Sequence, residues 1–555
     1  MSNNEIDSKP VIVLGSGPVG LGAAIELGRC GIKTILIERN SRTSWHPKTR
    51  NFNSRTMEIA RTWGPEIYEE LRELDLPIHW KSPIRFMTAI VGKETGQIES
   101  KGFRGATPDI SPVSSVLSSQ DQIEPVLMQQ VQRSGMVDVR FRHEMLEFLK
   151  GDEDSDEEVQ IRVRDLETGN ESIVVGSALV AADGAGSEMR QILEMPLEGP
   201  QKVANFINCY FHADVERYAA ERPGILLFVA NENASGVFQA LDARGRWLCQ
   251  ISVPLEEWST EIYNNERCTE WIRAGVGVPE LEVDVKSVGK WQMNAAVCRE
   301  LQRGRVVFVG DAAHMFPPTG GLGVNTGIQG MHNAMWKLAL FLRGKASKRL
   351  LESYTLERKP VAKWVAEQSL HNHQQAVRMA MISLGATADI TPEEVLTTAR
   401  RYGNQLGLEL GFVYESHLTT PDGTSAPTVS DPYTDYAPSA RPGHRAPHVW
   451  LDQNGRKIST IDLARPEFSI FSGKEGHKWA GAVAELSRIH GLDIALYSIG
   501  TADLIDTEET FLNRYEINVD GAVLIRPDGY VAWRSQAHGS QEEIELGRAL
   551  NSILN

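Results

Sequence analysis

The sequence lacks the cysteine patterns of metal-binding and disulfide-stabilised proteins. Its 555 residues include five cysteines, and none of them forms a CxxC pair or a cluster with metal-ligand spacing. An odd number of isolated thiols is typical of buried side chains in a reducing compartment. We therefore expect a cytoplasmic protein without a metal site.

Long apolar runs and an excess of positive charge are absent as well. No uninterrupted apolar stretch reaches the roughly 18 residues that span a bilayer. Residues 1–10, MSNNEIDSKP, lack the basic and then apolar pattern of a secretory signal. The net charge of −16 disfavours binding to nucleic acid or to anionic membranes. The remaining composition, 41% hydrophobic and 23% charged, is globular, and the length predicts two or three domains.

A glycine-rich turn near the start of the chain indicates a nucleotide-binding site. It lies between a predicted strand at 10–14 and a helical pattern at 21–30, and a second strand is predicted at 34–38. In its GxGxxG spacing the glycines permit a tight turn, close approach to a pyrophosphate and close strand–helix packing. Glu38 can accept hydrogen bonds from a ribose and disfavours the 2′-phosphate of NADP, so FAD or NAD is expected. The candidate cofactor-binding residues here are Gly15, Gly17, Pro18, Val19, Gly20, Glu38 and Arg39.

A second glycine-rich loop, GDAAHMFPPTGGLGVNTG at 310–327, joins a predicted strand at 305–309 to a helical pattern at 333–342. It contains two prolines, one aspartate and five glycines. A loop so rigid and so poor in side chains predicts that a flat or charged group comes close to its backbone.

Three motifs together resemble a known family. The GxGxxG turn, the pair Asp183-Gly184 and the stretch Gly310-Asp-Ala-Ala-His314 occur in the order found in group A flavoprotein aromatic hydroxylases, the family of p-hydroxybenzoate hydroxylase and phenol hydroxylase. Residues 442–448 and 523–534 resemble the C-terminal segments of its longer branch, which includes hydroxylases of aromatic polyketides. The resemblance implies an α/β fold: a Rossmann-like FAD-binding domain, an inserted antiparallel-sheet substrate domain and a C-terminal thioredoxin-like domain without CxxC.

The predicted domains follow from the resemblance and from the local patterns. Residues 1–190 and 301–415 would form the two parts of the FAD-binding domain, the second with a helical region. Residues 191–300 would form the substrate domain. The Pro-, Ser-, Thr- and Asp-rich segment 416–447 would be a linker, and 448–555 the thioredoxin-like domain.

The resemblance also implies the roles of further residues. Asp311 would bind the ribityl chain of FAD, prolines would stiffen the loop beside the flavin, and the helix starting near Val324-Asn325 would direct its N–H groups to the flavin. The further FAD-binding candidates are Lys48, Gln120, Asp183, Asp311, Pro318, Gly321, Gly323, Val324 and Asn325. The catalytic candidates are Arg50 and Pro318.

The sequence departs from the family at three positions. Lys48 stands where an arginine is frequent, and it keeps the charge but loses the bidentate fork. Arg50 stands where phenol hydroxylase-like members have a catalytic aspartate, so we expect an anionic substrate or a phenolate near the flavin. Gly330-Met331 replaces the usual Asp-Ala.

The function implied by the resemblance is hydroxylation of a phenolic or related aromatic compound. NAD(P)H would reduce FAD, oxygen would add at C4a to give a hydroperoxide, and the aromatic ring would take up the hydroxyl group. A homodimer is implied, whereas NADPH and NADH both remain possible because no second dinucleotide motif is visible. The alternatives are a Baeyer–Villiger oxygenation of a polyketide quinone and a non-catalytic flavin-binding scaffold.

Four other side chains are further candidates for a functional role. His314 follows the third motif and is mostly structural in the family pattern. Tyr210, His212 and Gln239 lie on predicted strands of the middle domain, and the sequence leaves open which face of the sheet each one occupies.

Overall fold

The computed structural model describes residues 9–386 and 391–555. Most of residues 1–10, where the sequence predicts no secretory signal, lies outside the described residues. The α-helices are α1 (Pro18–Arg29), α2 (Ser54–Thr62), α3 (Pro65–Glu73), α4 (Gln120–Arg133), α5 (Glu188–Ile192), α6 (Glu216–Ala219), α7 (Asn265–Val276), α8 (Gly323–Leu342), α9 (Lys348–Ser383), α10 (Pro392–Thr398), α11 (Leu406–Leu410), α12 (Ala480–His490), α13 (Phe511–Tyr515) and α14 (Ser540–Leu554).

The strands of the first half of the chain are β1 (Val11–Leu14), β2 (Thr34–Glu38), β3 (Asn51–Phe52), β4 (Ile84–Met87), β5 (Glu94–Ile98), β6 (Val116–Leu117), β7 (Val137–Phe141), β8 (His143–Lys150), β9 (Val159–Asp165), β10 (Glu171–Gly176), β11 (Ala178–Ala181), β12 (Leu197–Glu198), β13 (Ala204–His212), β14 (Leu226–Ala230), β15 (Ser235–Ala240) and β16 (Arg246–Val253). The remaining strands are β17 (Asp284–Met293), β18 (Ala296–Cys298), β19 (Gln302–Arg303), β20 (Val306–Phe308), β21 (His314–Met315), β22 (Trp450–Gln453), β23 (Arg456–Ser459), β24 (Ser469–Ser472), β25 (Ala495–Ser498), β26 (Ile505–Asp506), β27 (Ala522–Ile525) and β28 (Val531–Ser535).

A 6-stranded sheet in the order β19-β20-β11-β1-β2-β7 forms the nucleotide-binding part. All neighbouring pairs in it are parallel except β19 with β20. Strands covered by helices on both faces need continuous apolar sequence, and β1 is fully buried along its length. Since β20, β11, β1 and β2 are adjacent, the loops that follow them lie side by side at the carboxyl edge of the sheet.

A 7-stranded sheet in the order β17-β13-β16-β15-β14-β4-β5 forms the second layer of the protein. Its pairs are antiparallel except for β14 with β4. Strands β4 and β5 come from the segment 1–190, whereas the others come from 191–300. The sheet therefore draws on two separated parts of the chain, which a division in sequence order does not anticipate.

The two faces of this sheet differ in chemistry. Ile207, Cys209 and Phe211 of β13 belong to an apolar core shared with α7. Because side chains alternate along a strand, Asn208 and Tyr210 lie on the opposite face. That face is turned toward the nucleotide-binding part, since Arg246 of β16 pairs with Asp121 of α4 across it, and we call it the inner face.

The C-terminal part is a 4-stranded sheet, β25-β24-β27-β28, packed with α12 and α14. Between α11 and β22 the described chain has no helix or strand. A turn, Arg526–Gly529, joins β27 to β28 and contacts three helices of the FAD-binding part. Arg526 pairs with Glu357 of α9 at 2.7 Å, Asn333 of α8 donates to Asp528 at 2.9 Å, and Arg55 of α2 donates to the Asp528 carbonyl at 2.6 Å.

The described residues contain neither a helix suited to cross a membrane nor a cluster suited to hold a metal ion. None of the helices there has the length and apolar character required to cross a membrane. No group of three or more His, Cys, Asp or Glu side chains in residues 9–386 and 391–555 is arranged to hold a metal ion.

Candidate active site

The first candidate loop is the turn after β1. Gly15 has a φ of +98°, and a Cβ there would lie 2.5 Å from the carbonyl oxygen of Ala182. A Cβ on Gly20 would collide with the carbonyl of Gly15. At Gly17, by contrast, a Cβ would meet none of the described atoms within 4 Å. The turn is therefore closed toward the protein and open where a pyrophosphate would approach, and Pro18 starts α1 just behind it.

The acid at the end of β2 is held in place by its neighbours. The Glu38 carboxylate accepts hydrogen bonds from the N–H and hydroxyl of Ser16, both at 2.9 Å, and from the N–H of Asn40 at 2.8 Å. This carboxylate is oriented beside the turn before any ligand binds. Arg39 is exposed and lies 3.9 Å from Glu188, which leaves its guanidinium at the rim of the site.

The loops after β11 and β20 are joined by one arginine. Arg190 donates to the carbonyls of Asp311 and Ala312, at 3.3 and 3.1 Å. Asp183 Oδ2 accepts the N–H of Met189 at 3.2 Å, while its buried Oδ1 has no partner in the described part of the chain. An unpaired buried acceptor at this place fits a ligand that brings hydroxyl groups.

The carboxyl group of Asp311 lines a concavity. It is accessible to solvent, yet surrounding protein desolvates it and raises its pKa to about 6, although the charges of Lys48 and Arg190 act in the opposite direction. With the open turn and the free acceptor of Asp183, this arrangement fits the phosphate- and hydroxyl-bearing chain of FAD. The residues that would hold it are the predicted ones around these three loops.

The proline–glycine loop is fixed from several sides. Gly320 and Gly321 have φ values of +116° and +64°, which favour glycine. Asn325 donates to the carbonyls of Asn51 and Gly321, at 3.0 and 2.6 Å, and accepts the N–H of Asn53 at 2.9 Å. The loop thus keeps one conformation relative to the stretch that follows Arg50.

Helix α8 begins at Gly323, one residue before the predicted start. Val324 lies in its first turn, where backbone N–H groups have no partner within the helix. Val19 packs between the two motifs, because a Cβ on Gly327 would approach its side chain to 2.8 Å. The N-terminus of α8 therefore abuts the GxGxxG turn. Pro318 is exposed beside it, and its carbonyl accepts the N–H of Gly321 at 2.9 Å.

Gln120 and Lys48 lie near each other at the edge of the site. Gln120 begins α4 and is buried. Its carboxamide donates to Glu124 at 2.6 Å, and its backbone N–H donates to the carbonyl of Thr49 at 2.8 Å. Lys48 is exposed, and its charge opposes the desolvation that raises the pKa values of Asp311 and Glu124 to about 6. Its ammonium group is thus close to the nucleotide-binding edge.

Arg50 points away from the nucleotide-binding edge and into the 7-stranded sheet. Its guanidinium donates to the carbonyls of Ala240, at 2.6 Å, and Ile225. Burial lowers its pKa to about 10, while Tyr402 acts in the opposite direction, so the group stays protonated at neutral pH. No carboxylate of the described chain forms an ion pair with it. The site therefore holds a desolvated positive charge without a counter-ion.

His314 is a neutral structural residue in this structure. It is buried and stacks on Phe316 with ring centroids 4.5 Å apart. Burial, and then the charge of Arg358, lower its pKa to about 3. An imidazole that stays neutral and packs on an aromatic ring does not suit proton transfer at neutral pH.

The inner face contains all three middle-domain candidates. Tyr210 is opposite Leu248 of β16, and Leu248 is opposite Gln239 of β15, so Tyr210, His212 and Gln239 share that face. Tyr210 accepts a hydrogen bond from Arg246 at 3.0 Å and lies 3.0 Å from His212. Gln405, in a segment without a recognisable motif, is a further site residue that sequence analysis did not identify, and it donates to the Gly320 carbonyl at 2.8 Å.

The site combines three adjacent nucleotide-binding loops, a rigid loop against a helix N-terminus, and a sheet with a polar inner face. This combination is typical of the class of FAD-binding α/β enzymes. Two family models match the chain: one described as FAD binding domain over residues 8–369, and one described as aromatic-ring hydroxylase, C-terminal, over 439–555. The chain belongs to the FAD-dependent aromatic-ring hydroxylases and is an FAD-dependent aromatic monooxygenase that uses NAD(P)H.

Relatives of this family match along the whole chain. The tetracenomycin B2 monooxygenase-dioxygenase of Streptomyces olivaceus is 33% identical over 556 residues, covering 98% of each chain. The 4-methyl-5-nitrocatechol 5-monooxygenase of a Burkholderia species is 30% identical, covering 98% of this chain and 97% of its own. The structure of the flavin-dependent monooxygenase PieE with FAD and substrate has a TM-score of 0.89 at 30% identity, covering 99% of both chains. The predicted family, α/β fold class, cofactor and enzyme class are confirmed.

Proposed function

We propose that this enzyme hydroxylates a phenol that it binds as the phenolate, between the proline–glycine loop and the inner face of the 7-stranded sheet. The overall reaction consumes the phenol, O2, NAD(P)H and one proton, and it yields the ring-hydroxylated product, water and NAD(P)+. FAD, when bound, would supply the redox chemistry, namely hydride acceptance from NAD(P)H and activation of O2 for transfer of one oxygen atom. The protein's own residues bind, orient and shield the reactants.

The observation that carries the proposal is the charge of Arg50. A partly buried guanidinium that donates only to carbonyl groups keeps its full positive charge, and its partial desolvation makes that charge unfavourable without a counter-ion. A phenolate would supply the counter-ion. It would also be the more reactive form of the substrate, because a phenolate oxygen raises electron density at the ortho and para carbons.

In this proposal the positive charge of Arg50 stabilises the phenolate, so that the substrate loses its proton without a carboxylate base. The nearby Tyr402 is poorly suited to that task, because burial raises its pKa, although Arg50 acts in the opposite direction. Arg50 would lower the pKa of the bound phenol instead, and the proton would leave to solvent as the substrate binds. Arg50 and Pro318 are thus the proposed catalytic residues, with Pro318 as part of the wall beside the flavin.

The proposed cofactor-binding residues are those of the three loops and their neighbours. They are Gly15, Gly17, Pro18, Val19, Gly20, Glu38, Arg39, Lys48, Gln120, Asp183, Asp311, Pro318, Gly321, Gly323, Val324 and Asn325. We further propose a homodimer, from the family resemblance, and a cytoplasmic location, which the five free cysteines support.

The test uses the purified holoenzyme with NADPH or NADH under ¹⁸O2 and a panel of one-, two- and three-ring phenols. The expected result is substrate-stimulated oxidation of the nicotinamide and one ¹⁸O atom in a new C–OH group, assigned by NMR. A ring-expanded ester product would favour Baeyer–Villiger chemistry instead. Absence of stimulated oxidation with every phenol would contradict the proposal.

A further inference from the structure

A row of four residues crosses the inner face of the 7-stranded sheet. Gln250 of β16 is directly opposite Asn208 of β13 and Val237 of β15, and Asn208 is also opposite Gly289 of β17. The row spans four neighbouring strands, which is about 14 Å at about 4.8 Å per strand spacing. Such a length exceeds one phenol ring and suits fused or extended ring systems.

Gln250 is a buried polar side chain without a protein partner. It is 8% exposed, and its carboxamide makes no hydrogen bond to any residue that the structure describes. Its neighbours Cys249 and Ile251 are turned into the apolar core on the other face. Because neither carboxamide atom is fully enclosed by protein, the side chain reaches the space above the sheet, where a ligand can supply its hydrogen-bond partner.

Asn208 determines which kind of partner the row requires. Its Oδ1 accepts the indole N–H of Trp291 at 2.6 Å. Its amide nitrogen donates to none of the described residues, so the group left for a ligand is a hydrogen-bond donor. The carboxamides of Asn208 and Gln250 sit on directly opposite residues, with Cβ atoms roughly 5 Å apart. Both can therefore donate to one acceptor oxygen.

The space above the row is open and is bounded on two sides. A Cβ added to Gly289 would meet no atom of the described residues within 4 Å. On one side His46 contacts Ser287 at 2.7 Å, and on the other the ring of His373 lies 6.4 Å from that of Phe206. These contacts bring a loop and helix α9 over the sheet on either side of the row, and a flat molecule can lie between them.

We propose that Gln250 and Asn208 bind a carbonyl oxygen of the substrate, which is therefore a phenol fused or conjugated to a carbonyl-bearing group. This inference rests on the proposed function: Arg50 would bind the phenolate oxygen at one end of the ring system, and the two carboxamides would bind the carbonyl oxygen further along. A carbonyl conjugated with the phenolate also carries part of its negative charge, which strengthens both contacts.

The test compares two ligands of nearly equal shape, 6-acetyl-2-naphthol and 6-ethyl-2-naphthol. Their affinities for the oxidised holoenzyme are measured from the change in flavin absorbance, which requires no turnover. The acetyl compound is expected to bind at least about tenfold more tightly. In Gln250→Leu and Gln250→Met this preference should fall below about threefold, since the apolar side chain leaves the carbonyl oxygen short of a donor.

Gln292→Leu is the matched control. Gln292 lies on β17 of the same sheet and donates to Asn205 at 2.9 Å, so its loss should leave the preference for the acetyl compound unchanged. Equal affinities of the two naphthols for the wild-type enzyme would overturn this inference, but they would not contradict the proposed phenolate site at Arg50. If neither naphthol bound and Arg50→Met had no effect on the binding of any phenol, both this inference and the proposed function would be contradicted.

Discussion

Replacing Arg50 by methionine removes the proposed counter-ion of the phenolate. A phenolate oxygen about 4 Å from the guanidinium gains about 4 kcal/mol at an effective dielectric constant of about 20. That energy corresponds to a fall of about three units in the pKa of the bound phenol. We therefore expect the wild-type enzyme to bind phenols as anions near neutral pH, whereas Arg50→Met binds them in the neutral form.

The assay is a pH titration of bound 4-nitrophenol, whose anion absorbs visible light. Difference spectra of the oxidised holoenzyme with and without the ligand give the pKa of the bound phenol. The expected pKa lies below that of free 4-nitrophenol in the wild type and returns to it, or above it, in Arg50→Met. Arg50→Lys keeps a positive charge and should retain most of the shift.

The control and the refuting result follow from the same geometry. Arg246 lies on the inner face as well, but Asp121 neutralises it at 2.5 Å, so Arg246→Met should change the pKa of the bound phenol by less than about one unit. Flavin content and circular dichroism establish that each variant is folded. If Arg50→Met and the wild type bound 4-nitrophenol with the same pKa, the role of Arg50 would be wrong.

Three further predictions concern cofactor binding and stability. Gly20→Ala should yield protein without FAD, measured by the ratio of flavin to protein absorbance, because its Cβ would collide with the preceding turn. Arg526→Met should destabilise the protein by about 3–5 kcal/mol in denaturant unfolding, since it leaves buried carboxylates unpaired, whereas the exposed Arg488→Met should change nothing. Desolvation alone would raise the pKa of Glu58, but nearby cations, Arg445 foremost, lower it to about 2 from 4.5. The stability it contributes is present above pH 4.5 and lost as the pH falls toward 2, and Glu58→Gln should reduce that acid dependence in thermal melts.

The sequence was sufficient to predict the nucleotide-binding elements. The predicted strand at 34–38 coincides with β2, and the apolar run at 10–14 contains β1. Local signals suffice there, because a buried parallel strand followed by a glycine turn and a helix specifies its structure over a short stretch. The family and cofactor followed from the order of three such local motifs.

The substrate side could not be predicted to the same depth. Whether Gln239 faces the flavin depends on the register of β15 against β16, and a shift by one residue would reverse the face. The pairing of β14 with β4 joins residues far apart in the chain, and no local pattern encodes it. The carbonyl contacts of Arg50 and the open space at Gly289 likewise result from tertiary packing.

The turn at 526–529 affects the order in which the chain folds and binds FAD. It is synthesised after the flavin loop, yet it supports helices α2, α8 and α9 around that loop through buried ion pairs and hydrogen bonds. Contacts between such distant segments form late in folding. A nascent chain can thus carry a complete GxGxxG turn before α8 has its final support. We therefore expect FAD to be held tightly only after the C-terminal domain has docked, which refolding followed by flavin fluorescence would test.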